Sequence, residues 1–165
     1  MAISKTMAEA LNKQFNEELA SAYLYDSMAA DFYAKNLPGF AMWMTQQAAE
    51  ERAHAVKIHR YLDEHGERVY YAAMGEPQAE WASPAAAFEA ALAHEKYISG
   101  KIHELVRLAR KEDDIPTESF LIWFVNEQVE EESTTKSVLD KIEMVSDNKF
   151  GLYQLDKEMA ARGQK

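Results

Sequence analysis

The chain has 165 residues, 47% of them hydrophobic, and 28 acidic against 18 basic residues give it a formal net charge of -10. That length suits one domain, 1–165, with a sizeable core, and the negative charge argues against nucleic acid or an anionic membrane as partner. With no cysteine, disulfides, thiolate catalysis and cysteine-ligated iron are excluded; with no signal-like apolar core in residues 1–6 and no run near the roughly 20 residues of a membrane span, a cytoplasmic protein is expected.

A first helix is predicted over about 5–35, a stretch without Pro or Gly in which Leu11, Phe15, Ala22, Tyr25, Ala29 and Phe32 recur at three- and four-residue steps. Glu18 falls inside that stripe, where an ionised carboxylate is costly unless it is paired or bound to metal. A tilt to the edge of the face fits Glu18 alone equally well. Asn36-Leu37-Pro38-Gly39 breaks the helix, and a second is predicted over about 38–65 with Pro38 in its first turn. Its stripe is Phe40, Met44, Gln47, Glu51, His54, Ile58 and Tyr61. Glu51 and His54 stand three residues apart, so both project from one face about a turn apart, which is how a helix offers a metal two ligands.

Residues 66–83 contain Gly75 and Pro77 and show no helical period, as a long connection should. Ser83-Pro84 starts a third helix over about 84–111, with Phe88, Leu92, Ile98, Ile102, Leu105 and Ala109 on one side and Glu95 interrupting them. The fourth, about 116–145, has the seam Leu121, Phe124, Gln128, Glu131, Thr135, Val138 and Ile142. A short fifth helix, about 148–162, follows Ser146-Asp147-Asn148. No strand pattern, repeat or low-complexity segment is apparent.

Short links make the first and second helices, and the third and fourth, antiparallel hairpins. A long crossover returns the chain between the hairpins, and an extended segment of about 17 residues reaches far enough, roughly 56 Å, to do so. This is an all-α four-helix bundle. Glu18, Glu51, Glu95, Gln128 and Glu131 then sit near one level, and buried carboxylates together without cations repel severely. Carboxylate oxygens with one imidazole suit iron or manganese better than structural zinc. Two cations fit, with Glu51 bridging, Glu18 and His54 completing one side and Glu95 and Glu131 the other. Few ligands per metal leave positions for dioxygen. Tyr25 is either a donor of a hydrogen bond or an electron to this layer, or a plain core tyrosine.

The sequence resembles the bacterial non-haem ferritins. The resemblance runs from the first helix to the fifth and rests on Leu11-Asn12, Glu18-Leu19, Glu50-Glu51-x-x-His54, His94-Glu95, Trp123, Glu127-Gln128 and Gly151-Leu152-Tyr153. It implies a homo-oligomeric shell of 24 subunits in which each bundle oxidises iron(II) with dioxygen or peroxide and the ferric product mineralises inside. Residue by residue, it implies Glu18, Glu51 and His54 around a first iron and Glu51, Glu95 and Glu131 around a second, with Gln128 beside it. It also implies a third position at Glu50, Glu127, Glu130 and Glu131, and Tyr25 next to the first iron.

Bacterioferritins are similar too, but they have a second Glu-x-x-His where this chain has Gln128-x-x-Glu131, and a haem-ligating methionine where it has Arg52; no haem is expected. A rubrerythrin-like peroxidase would need the missing cysteines. A DNA-protecting mini-ferritin fits poorly with the fifth helix, and a non-catalytic scaffold fits poorly with intact ligands. His59, His65, His94 and His103 read as surface or edge residues. Glu112, Asp113, Asp114 and Glu118 read as a solvated helix junction, or, in a ferritin shell, as a feature that attracts iron(II).

Overall fold

A computed structural model describes residues 3–164. Long amphipathic stretches form α1 (Lys5–Ala34), α2 (Pro38–Glu64), α3 (Pro84–Lys111) and α4 (Ile115–Val145), followed by a short α5 (Lys149–Met159). Where the helical pattern suggested continuation to about residue 162, the backbone tightens instead into a 3-10 turn, Ala160–Gln164. Side chains cap the starts. Ser4 accepts from Met7 N, Ser83 from Ala86 N, Asp114 from Thr117 N and Asn148 from Gly151 N, at 2.9–3.1 Å.

The start of α2 is capped from a distance. Leu37 offers no side-chain acceptor, and Asp156 of α5 accepts from Phe40 N at 2.9 Å instead. The approach is close enough that a Cβ at Gly39 would lie 1.6 Å from the Asp156 carbonyl oxygen. Gly39→Ala should therefore lower stability by about 1–3 kcal/mol through overpacking against backbone, read as a fall in melting temperature. An unchanged transition would mean that α5 does not dock as described.

The crossover, residues 65–83, is laid along α1 by polar side chains on one helix face. Asn12 donates to Arg68 O and accepts from Tyr70 N; Asn16 donates to Tyr70 O and accepts from Ala72 N. Farther along, Ser27 donates to Gln78 O, Asp31 accepts from Trp81 N, and Lys35 donates to Trp81 O. The segment thus travels from the beginning of α1 to its end, which makes α3 parallel to α2 and gives the one-crossover bundle. These bonds satisfy backbone groups that have no ladder of their own.

Two hydrophobic clusters fill the interior. One gathers Tyr25, Phe32, Phe40, Met44, Phe88 and Ile142; the other gathers Leu11, Phe15, Ile58, Ile102, Leu121 and Phe124. The carboxylate layer lies between them. Leu92, expected in the core, is only half-buried, because Ala91 takes the seam position on α3.

Candidate metal centre

The apolar stripes that build the bundle also aim its polar intruders. Glu18 from α1, Glu51 and His54 from α2, Glu95 from α3 and Gln128 and Glu131 from α4 all face inward, none more than 4% exposed. At that burial, bulk water cannot neutralise the carboxylates, so other partners must.

Their geometry forms linked triangles. Ligand atoms of Glu18, Glu51 and His54 lie within 4.8 Å of one another, and so do those of Glu51, Glu95 and Glu131. Glu51 belongs to both. A third group joins His54 and Glu131 to Glu127. Of the residues implied for a third position, the structure brings Glu127 and Glu131 together, while Glu50 is ion-paired with Arg162 at 3.1 Å and Glu130 stands exposed.

Amides and a phenol set the orientation of the acids. Gln14 donates to Glu18 Oε1 at 2.8 Å. Gln47 donates to Glu51 Oε1 at 3.0 Å and to Glu131 Oε2 at 2.7 Å. Gln128 donates to Glu95 Oε2 at 3.1 Å. Tyr25 is fully buried and its hydroxyl donates to Glu95. Tyr25 stands two turns, about 10 Å, along α1 from Glu18, and its hydrogen bond goes to a carboxylate of the second triangle. Two buried acceptors, Glu18 Oε2 and Glu131 Oε1, have no hydrogen-bond partner. Buried without a hydrogen-bond donor, both oxygens fit a cation.

Electrostatics agree with that reading. Burial pushes Glu131 up to about 8, with the Glu95 and Glu51 charges adding to it. Burial and the Glu51 charge push Glu95 up to about 7, and burial raises Glu51. At His54 burial opposes the charged form, yet the neighbouring Glu18 and Glu51 carboxylates outweigh it and push the imidazole up to about 11. Without metal, protons therefore serve as the layer's counter-ions.

The Ferritin-like domain model matches residues 8–145. The chain belongs to the ferritin family. It is 39% identical over 160 residues to the bacterial non-heme ferritin of Staphylococcus saprophyticus, covering 97% of this chain and 96% of that one. The Staphylococcus aureus protein of the same name is 36% identical over the same shares. Among solved structures, an open-pore ferritin from the hyperthermophilic archaeon Archaeoglobus fulgidus superposes with a TM-score of 0.96 at 46% identity, over 98% of this chain and 99% of that one. An engineered closed form of the same archaeal ferritin gives 0.96 at 45%, over 98% of both chains.

Within this family frame, the side chains around the acids are as informative as the acids. Gln14, Gln47 and Arg162 were not legible as site residues, because a buried amide in an apolar stripe resembles any satisfied core glutamine. His94, expected at the surface or edge, is half-buried against Ser21 at 2.7 Å and the Tyr25 ring. Arg52 points outward to pair with Asp26. The acidic junction has local work to do: Glu112 accepts from Ser4, Asp114 caps α4, and Glu118 accepts from Arg110. An open cavity of about 700 Å³, lined by His54, Lys57, Arg60 and Trp123 among others, lies on the α2–α4 side of the layer.

Proposed function

We propose that this ferritin stores iron by oxidising iron(II) in its buried carboxylate layer and passing the ferric product to mineral inside a shell of 24 identical subunits. The observation that supports it most is the sharing of Glu51 between two ligand triangles. One carboxylate common to two sites places two cations side by side, and two-metal centres hold their ions roughly 3.5–4 Å apart. Two iron(II) ions supply two electrons, the number that reduces dioxygen to hydrogen peroxide, or peroxide to water.

Glu18, Glu51 and His54 hold the first iron. Glu51, Glu95 and Glu131 hold the second, with Gln128 fixing Glu95. Tyr25 keeps the Glu95 carboxylate turned inward and is placed to donate an electron through it. A third position uses Glu127 and Glu131, with Glu50 and Glu130 on its outer side as the family resemblance implies. Gln14 and Gln47 each tie down one oxygen of a carboxylate and leave the other for metal. The surrounding hydrophobic clusters exclude water, so charges in the layer interact more strongly than at the surface. Reliance on carboxylates and one imidazole suits iron as a transient substrate, and the cavity beside His54 gives the product a way toward the α2–α4 face.

No helix among the described residues is long and apolar enough to cross a membrane; a single cytoplasmic domain, acting without nucleic acid or haem, fits this reading. Exposed Ile115, Val129, Met144 and Phe150 supply apolar surface for neighbouring subunits. Repeated additions of iron(II) in air, followed by size-exclusion chromatography with iron and protein assays, test storage. The expected result is iron co-eluting with an assembled shell far beyond what the bundle ligands can hold. Iron retained only at a few ions per subunit would sink the storage reading.

A further inference from the structure

The turn after α5 sends one side chain back to the bundle. Arg162 stacks on Trp43, its guanidinium carbon 4.0 Å from the ring centroid, and donates to Trp43 O at 3.4 Å. It also donates to Gln47 Oε1 at 2.8 Å and to Glu50 Oε2 at 3.1 Å. The side chain is only 18% exposed. Nothing in the oxidation scheme above uses it.

Gln47 is completely buried, and a primary amide has one acceptor oxygen and two donor hydrogens. Because Arg162 takes the oxygen, the nitrogen must face the layer, where it donates to Glu51 Oε1 and Glu131 Oε2. Reversed, the amide would set its oxygen against two carboxylates and its N–H groups against a guanidinium. The charged donor therefore decides which way the amide points. That direction in turn selects the ligand atoms. With Glu131 Oε2 held by Gln47, Oε1 is the buried atom left without a partner; with Glu51 Oε1 held, Oε2 is left facing His54 Nδ1 at 3.2 Å.

We propose that Arg162 is a positioning residue for the second iron, acting through the Gln47 amide to present Glu131 Oε1 to the metal. The inference rests on the two-iron reading above. It ties the docking of α5 and its following turn to the metal centre, although α5 itself contributes no ligand.

Cobalt(II), whose visible absorption reports ligand geometry, is the probe, titrated into metal-free protein whose native mass has been checked. Wild type should take two ions per subunit into the layer. In Arg162→Ala the second ion should bind about tenfold more weakly, as loss of an outer-shell partner typically causes, and its spectrum should change more than that of the first, which meets Gln47 only through the shared Glu51. Gln47→Leu should reproduce the effect, and adding Arg162→Ala to it should change nothing further, since the two act in one chain of bonds. Should alanine disturb the turn, Arg162→Met, which can keep the Trp43 contact but has no donor for Gln47, allows the same comparison. An unchanged second ion in the Arg162 variants overturns the proposal, as does a loss that persists in full beside Gln47→Leu, which would place the effect at Glu50 or in the fold. Fewer than two ions in the wild type would overturn the two-iron reading and this inference together, and that failure shows before any variant is made.

Discussion

Glu51→Gln should abolish rapid iron(II) oxidation while leaving the shell assembled. The loss follows from geometry: Glu51 is the one residue common to the two buried carboxylate triangles, and a neutral amide cannot serve two cations as a carboxylate can. Removal of outer-shell partners already costs about 10–100-fold in metal affinity or activity, so removal of a shared ligand should cost at least about 100-fold in initial rate. Stopped-flow absorbance, on preparations whose native mass has been checked, follows the rate. A variant that oxidises iron at the wild-type rate contradicts the role given to Glu51.

Metal binding should release protons, and its affinity should climb steeply with pH. Near neutrality, Glu131 at about 8 and His54 at about 11 hold protons, and Glu95 at about 7 holds one part of the time. A cation must displace them, so affinity should rise at least roughly tenfold per pH unit between about pH 6 and 8. The metal-free protein should move the other way. Raised carboxylates contribute stability that is complete below their unfolded values and is lost as pH rises through the folded ones, here from about 4.5 toward about 7 for Glu95 and about 8 for Glu131. His54 adds to the same trend, since its contribution begins to fall above 6.5. Calorimetry across pH 5 to 8 should thus show the metal-free melting temperature falling and the zinc-loaded one holding, with proton release visible in unbuffered titration. A metal affinity independent of pH would mean that the acids are not the ligands.

The buried carboxylate layer was legible in the sequence because each helix has an apolar period within which one carboxylate stands out. Glu18 between Phe15 and Ala22 could also have tilted to the edge of its face, and it was the agreement in level with Glu51, Glu95 and Glu131 that pointed it inward, where it lies. The level at which they meet followed from helix rise and connection length alone. Leu92 shows the limit of that approach: one residue of register gave the seam to Ala91, and periodicity cannot separate neighbours so finely. The outer partners were hidden for another reason. Gln47 is 84 residues from Glu131 and 115 from Arg162, and its role depends on where α5 docks. That docking is fixed by Asp156 reaching Phe40 N beside Gly39, a close approach with no periodic signature. Tyr25 was visible as an inward residue, but its hydrogen bond to Glu95 depends on how α1 packs against α3.

A crystal soaked anaerobically with iron(II) and measured on either side of the iron absorption edge tests the two-iron centre most directly. The anomalous difference map should show two peaks in the layer, about 3.5–4 Å apart, one beside Glu18 and His54, the other beside Glu95 and Glu131, with Glu51 touching both. Iron found only at the surface, or a single peak that leaves Glu95 and Glu131 without metal, would contradict it.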